Sequence, residues 1–310
     1  MSWITVTDFN SNGWADSSES TARQLCSSLE SGDILFFSEC PFSFPESHRQ
    51  KLLEHRQSGF RYHKNVSYQP LKKKLRGLTT ETEEDHRELV QIMDDYSSQV
   101  IEFVNRFLIP YRGHYQVDYA SYRPVEEAGR KMTLHKRNDL LHVDAFPNRP
   151  TRGGRILRVF TNVNPQKPRI WNTTEGFDRL AHQYAEEAGL SKFAHRGESA
   201  FWKLIYGASS LPKKLFGNLR QSPSTYDRFM HQFHNYLKEN EAFQKDCDKT
   251  IHEFPPGSTW LVYTDYVPHA VLSGQFALEQ TFIIGLEGMV TPQQAPLRIL
   301  EQICGKKLAA

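Results

Sequence analysis

Cysteine is scarce. The four present, Cys26, Cys40, Cys247 and Cys304, form no CxxC pair in 310 residues, which fits neither a zinc ribbon nor a disulfide framework and points to a reducing compartment. Net charge is also nearly absent. With 38 Lys and Arg against 36 Asp and Glu, the formal charge is +2, so no global field collects nucleic acid, and the balance argues against a dedicated nucleic-acid binder. No stretch approaches the roughly 18 apolar residues needed to span a bilayer. The start, MSWITVTDF, lacks a basic n-region and reaches Asp8 before an apolar run can form, so no secretory leader is expected. The expectation is a cytoplasmic protein or one peripheral to a membrane.

What is present is an ordinary globular composition, 38% apolar, 24% charged and 12% aromatic, in a chain long enough to bury a large core without staples. Residues 1–80 read as short mixed segments, with one apolar run at Ile34 to Phe37. From Thr80 to Ile109, apolar residues recur at helical spacing (Leu89, Ile92, Met93, Tyr96, Val100, Val104, Phe107) behind an acidic first turn, and the pattern stops at Pro110, predicting one long amphipathic helix. After Pro110, YQVDYASYRPV, MTLHKRNDLLHVDAF and RILRVFTNVNP are rich in β-branched and aromatic residues and read as successive strands. A helical block follows, including a helix opened by Ser224 with Asp227 three residues on. The segment from Pro255 to Gly288 reads as three strands with tight turns.

His142-Val143-Asp144 stands out among thirteen histidines. On a strand, i and i+2 share a face, so an imidazole and a carboxylate converge there. His269, at the start of a later strand, offers a third ligand, and two histidines with one carboxylate suit a non-haem Fe(II) centre. About 0.6 HxD matches arise by chance at this composition, so the motif alone reads first as a buried ion pair or as solvent-facing strand residues. His86-Arg87-Glu88 is a decoy: it falls inside the long helix, where i and i+2 diverge by about 200°.

The context of the motif is more specific. DYASYRPVEEAGRK, LLHVDAFPNRPTRGGRILRVFTNVNP, PRIW and FALEQTF resemble the Kdo hydroxylase family over about residues 30 to 290, most strongly from His142 to Pro165. The resemblance implies an α+β fold with a double-stranded β-helix (jelly-roll) core. On that reading 1–310 is a single oxygenase domain: 1–110 a support with the long helix, 111–171 and 251–290 the jelly-roll strands, and 172–250 a helical insertion. It also implies Fe(II) held by His142, Asp144 and His269, with 2-oxoglutarate and O2 as co-substrates. The reaction implied is hydroxylation of carbon 3 of a 3-deoxy-D-manno-oct-2-ulosonic acid (Kdo) sugar on a lipid A precursor, in the cytoplasm or at the inner membrane of a Gram-negative bacterium. An oxygenase with another lipid or protein substrate, or a non-enzymatic cupin-like sugar-binding module, are the alternatives, and succinate release separates enzyme from module.

A buried dicarboxylate needs a cation, best a guanidinium. Many members of the superfamily place an arginine roughly ten residues after the distal histidine, but Glu279 and Gln280 stand there. The candidates are Arg123, Arg155, Arg158 and Arg169 beside Trp171. Arg155 and Arg158 fall on opposite faces of a regular strand, and Arg158 is favoured. Asn162, Thr161 and Gln280 are polar candidates for the same ligand, whereas Trp260 and Tyr263 read as core. A lipid-linked sugar acid also calls for local basic clusters. Lys72, Lys73 and Lys74 form one, and the 201–220 segment, FWKLIYGASSLPKKLFGNLR, has the composition of an interfacial segment or of a lid. His231 and His234 read as surface residues, and His135 as a residue near the pocket.

Overall fold

Extended segments buried on both faces must satisfy their backbone in ladders, and the apolar segments of this chain do so. The computed structural model describes residues 2–7, 17–55, 65–77, 82–198 and 222–309. A large sheet contains β1 (Trp3–Thr5), β2 (Ile34–Phe37), β3 (Val66–Gln69), β4 (Lys74–Arg76), β5 (Tyr115–Arg123), β6 (Arg155–Asn162), β9 (Thr259–Tyr263) and β11 (Ala277–Ile284), in the order β1-β2-β9-β6-β11-β5-β3-β4. A small sheet contains β7 (Arg169–Thr173), β8 (Thr250–Phe254) and β10 (His269–Ser273), in the order β10-β7-β8. The architecture is the mixed α+β, jelly-roll-like one the resemblance implied.

Two elements differ from the sequence reading. The N-terminal stretch is not only a helical support, because β1 to β4 close both ends of the large sheet around the jelly-roll strands. The segment MTLHKRNDLLHVDAF is not a strand: a 3-10 turn spans Leu134–Lys136, and only His142 makes a bridge, to His269. The turn-forming pair Asn138-Asp139 and the following Pro147 interrupt pairing on either side.

Among the described residues the helices are α1 (Glu19–Glu30), α2 (Glu46–Glu54), α3 (Glu83–Phe107), α4 (Phe177–Tyr184), α5 (Leu190–Glu198), α6 (Thr225–Glu239), α7 (Glu241–Asp246) and α8 (Pro296–Cys304). Thr82 caps α3 through the Asp85 amide, and the predicted apolar stripe from Leu89 to Phe107 is buried. That stripe lies on the outer face of the large sheet: Ser97 donates to Gln280 at 2.7 Å, and Gln280 stands opposite Val159 in the β6–β11 register. Ser224 and Asp227 form the predicted capping box of α6. No described helix is long and apolar enough to cross a membrane.

Alternation along β6 now decides the site. Leu157 and Val159 face α3, so Arg158 and Phe160 face the opposite way, toward the small sheet. Gly274, between β10 and β11, has φ +128°, and a Cβ there would meet the Arg169 backbone at 3.0 Å. This close approach lets the Gly274 carbonyl accept from Arg169 Nη1 at 3.1 Å, which fixes the guanidinium.

Candidate active site

His142 and His269 exchange backbone hydrogen bonds, His142 N to His269 O at 3.2 Å and His269 N to His142 O at 2.9 Å, which places their rings side by side. Although residues 141–144 are not a strand, they are extended, so Val143 is buried on one side and His142 and Asp144 project to the other. Ligand atoms of His142, Asp144 and His269 all lie within 4.8 Å of one another. Each imidazole is oriented by its own Nδ1, which donates to a backbone carbonyl: Leu140 O at 2.7 Å for His142 and Val267 O at 2.9 Å for His269. That tautomer leaves both Nε2 lone pairs for a metal. Burial lowers the pKa of both histidines, which keeps them neutral. Burial alone would raise Asp144, but the Arg158 guanidinium, 3.1 Å from its Oδ2, holds the carboxyl far below the ordinary range. Two neutral imidazoles and one carboxylate form a donor set that fits Fe(II).

The ligand segment is pinned from the insertion. Gln244 of α7 accepts from Leu141 N at 3.0 Å and donates to Leu141 O at 2.8 Å, standing in for the missing strand neighbour. His234 of α6 donates from Nδ1 to Val143 O at 2.7 Å, and its ring meets that of His142 edge-on.

The triad opens into a cavity of about 490 Å³ between the two sheets, within the range of about 300–1,000 Å³ usual for ligand sites. Arg123, Arg158 and Phe160 come from the large sheet, Arg169 and Trp171 from the small one, and the Trp171 indole stacks on His269 at 5.0 Å. Glu279 of β11 pairs with Arg123 and, at 3.2 Å, with Arg158. Glu127 lies 3.7 Å from Arg169. Several buried donors lack an acceptor: Nε of Arg123, Arg158 and Arg169, Nη2 of Arg169 and Nε1 of Trp171. Buried N–H groups without partners are rare, and a cluster of them around one cavity suits an anion with several oxygens, such as a dicarboxylate.

Other sequence candidates lie elsewhere. Asn162 does not face the cavity; its amide donates to Lys167 O and Phe254 O and so closes a turn. Thr161 pairs with Thr259. Gln280 faces α3, because alternation puts Glu279 on the cavity side. Arg155 is buried on the face opposite Arg158, paired with Asp265 at 3.0 Å and stacked on Tyr263.

His234 is not a surface residue. It lines the cavity with His135 and Lys238, and only a periodicity argument placing 231, 234 and 238 on one helix face could have found it. Lys73 pairs with Asp94 at 2.9 Å, while Lys72 and Lys74 are exposed beside Leu71, which is 87% exposed. The 201–220 segment lies outside the described residues.

Comparison with known proteins agrees with this geometry. The family model for 3-deoxy-D-manno-oct-2-ulosonic acid (Kdo) hydroxylase matches residues 13–307. Among solved structures, the apo form of the Kdo hydroxylase KdoO, described as a non-heme Fe(II) alphaketoglutarate-dependent dioxygenase, is 31% identical with a TM-score of 0.82, covering 100% of this chain and 98% of that one. Its complex with alphaketoglutarate and Fe(III) is similar at 31% identity and TM-score 0.81, covering 99% and 97%. Its cobalt(II) complex is similar at 32% and 0.82, with the same coverage of 99% and 97%. No curated protein matches the chain by sequence. A match over nearly the whole length, to structures whose metal and co-substrate suit the donors found here, places the chain in the Kdo hydroxylase family.

Proposed function

We propose that this chain is an Fe(II)- and 2-oxoglutarate-dependent dioxygenase that hydroxylates carbon 3 of a Kdo sugar on a lipid A precursor, working as one oxygenase unit. The observation that carries this reading is the pair of donor sets in one cavity: the His142, Asp144 and His269 ligand atoms within 4.8 Å of one another, and the unpartnered N–H groups of Arg123, Arg158, Arg169 and Trp171 beside them. His142, Asp144 and His269 would hold the iron, and the three arginines with Trp171 would hold 2-oxoglutarate. Iron and 2-oxoglutarate, when bound, supply the oxidation of a C–H bond by O2 with release of succinate and CO2.

The protein's own residues prepare the site. The Leu140 and Val267 carbonyls fix the imidazole tautomers, Arg158 keeps Asp144 ionised, and Glu279 keeps two guanidinia from repelling each other before the co-substrate arrives. The exposed tip at Leu71, Lys72 and Lys74 suits contact with an anionic membrane surface, where a lipid-linked acceptor resides.

The test is an anaerobic titration of the protein with Fe(II) and 2-oxoglutarate, followed by the weak visible charge-transfer band of the chelated co-substrate, with Asp144→Ala as control. The band appears in the native protein and is absent from the variant, and adding a Kdo-containing lipid A precursor with O2 releases succinate. A folded protein that never gives the band, or one that gives it but releases no succinate with that acceptor, refutes the corresponding half of the reading.

A further inference from the structure

One buried cation in the cavity is accounted for by neither the metal nor the co-substrate. Lys238, on α6 in the insertion, is only 4% exposed. Its Nζ makes one hydrogen bond, donating to the His135 carbonyl at 3.0 Å. The carboxylates that influence it, Asp144 and Asp139, act at a distance rather than as ion-pair partners. Each arginine of the cavity, in contrast, has a carboxylate at hand: Glu279 for Arg123, Asp144 and Glu279 for Arg158, and Glu127 for Arg169. The two positive charges of Fe(II) and the two negative charges of 2-oxoglutarate cancel, so loading the cavity brings Lys238 no counter-ion. Lys238 lines the same cavity as the unpartnered arginine donors. A buried ammonium with no counter-ion is costly.

We propose that Lys238 binds the carboxylate of the sugar-acid substrate and so makes α6 the element that recognises the acid. This rests on the oxygenase reading above and extends it to substrate selection. His234, four residues earlier on the same helix, also lines the cavity, and with Nδ1 committed to the Val143 carbonyl its Nε2 is left as an acceptor for a sugar hydroxyl. The two side chains thus offer a cation and an acceptor one helical turn apart, which matches a carboxylate beside a hydroxyl on one sugar ring. Burial pulls Lys238 down to about 8, and a carboxylate bound against it restores the charged form.

The test measures binding to anaerobic protein loaded with Fe(II) and 2-oxoglutarate, using the methyl glycoside of Kdo and the methyl ester of that glycoside. Native protein prefers the acid by about tenfold or more, as a charge-assisted hydrogen bond in a buried site provides. Lys238→Gln binds acid and ester alike, with the native affinity for the ester and unchanged 2-oxoglutarate affinity from the visible band. Lys238→Arg keeps the preference, which separates loss of charge from loss of fold. The proposal falls if native protein does not distinguish acid from ester, a result that needs no variant. It also falls if Lys238→Gln retains the preference, or if the loss appears in 2-oxoglutarate affinity instead. Absence of the visible band in native protein overturns the oxygenase reading and this proposal together, whereas the band without an acid preference overturns this proposal alone.

Discussion

Replacing Glu279 by Gln tests whether the arginines are assembled in advance for a dicarboxylate. Glu279 is 3% exposed, accepts from Ser121 Oγ at 3.0 Å and Thr281 Oγ1 at 2.8 Å, and pairs with Arg123 and Arg158. Burial would raise its carboxyl, but Arg158 and then Arg123 hold it at about 2 instead of 4.5. That difference corresponds to about 3 kcal/mol of folding free energy, at the low end of the roughly 3–5 kcal/mol lost when one partner of a buried pair is removed. Because the folded pKa is the lower one, this stability is present above 4.5 and is lost as pH falls toward about 2. At neutral pH the variant should melt about 5 °C lower, because an unfolding entropy of about 2.1 cal/mol/K per residue over 310 residues gives roughly 1.5 °C per kcal/mol. Its melting temperature should also fall less than that of native protein as pH drops through the same window.

Arg123 then faces the cavity without a counter-ion and Arg158 keeps only Asp144, so 2-oxoglutarate with a redox-inert divalent metal should raise the variant's melting temperature more than the native one. For scale, a ligand at 100 times its Kd adds about 2.7 kcal/mol. Differential scanning fluorimetry with and without 2-oxoglutarate reads both effects. A shift under about 2 °C without ligand, or an equal ligand-induced rise in both proteins, refutes the reasoning.

The other predictions follow from the same geometry. His142→Ala and Asp144→Ala should each abolish the visible band and succinate release, whereas Lys73→Ala, which removes an exposed partner of Asp94, should at most weaken binding of the lipid-linked acceptor; equal loss in all three would contradict this division of roles. Gln244→Leu removes both hydrogen bonds that pin Leu141 and should weaken metal affinity by about 10- to 100-fold, read by competition with a chelator. Arg155→Met leaves Asp265 buried and unpaired and should cost about 3–5 kcal/mol in urea unfolding, with 2-oxoglutarate affinity intact in the folded fraction. Gln280→Met should leave that affinity unchanged, because its amide faces α3; a large rise in Kd would place it in the site after all.

How much of this was legible in the sequence depended on whether the information was local. The α3 stripe, the α6 capping box and the strands β5, β6, β9, β10 and β11 follow from periodicity and turn residues, which act within a few positions. Alternation on β6 separated Arg158 from Arg155, since a two-residue period needs no knowledge of the partner strand. The same rule applied to β11 would have put Glu279 in the cavity and Gln280 outside it, had the facing side of that strand been known.

Non-local satisfaction was illegible. Asn162 spends its amide on carbonyls at Lys167 and Phe254, and nothing in its neighbours announces this. The extended 141–144 segment looks like a strand because its residues favour extended backbone, yet its backbone is satisfied by the Gln244 and His234 side chains, the Thr264 carbonyl and a single bridge. Residues 1–80 hid most of their strands because strands of three and four residues show too few alternations to read.

The same non-local contacts join two parts of the chain that have different tasks. The sheets supply the arginines from β5, β6 and β7, whose positions are set by ladders on both sides, and His269 from β10, which pairs with β7, so the co-substrate wall is in place before any ligand binds. The His142–Asp144 segment has no such ladder and is held between the strand side, through the His142–His269 bridge and Asp144 N on Thr264 O, and the helices α6 and α7, through His234 on Val143 and Gln244 on Leu141. Two of the three ligands therefore depend in part on the helices between β7 and β8, and α6 also carries Lys238. An acid that draws Lys238 toward itself acts on the helix that holds the carbonyl of Val143, between the two ligands. Substrate recognition and metal geometry are thus joined through one helix, so substitutions on the cavity face of α6 should alter acceptor preference and metal affinity together, while substitutions on the β6 face opposite Arg158 should alter stability alone.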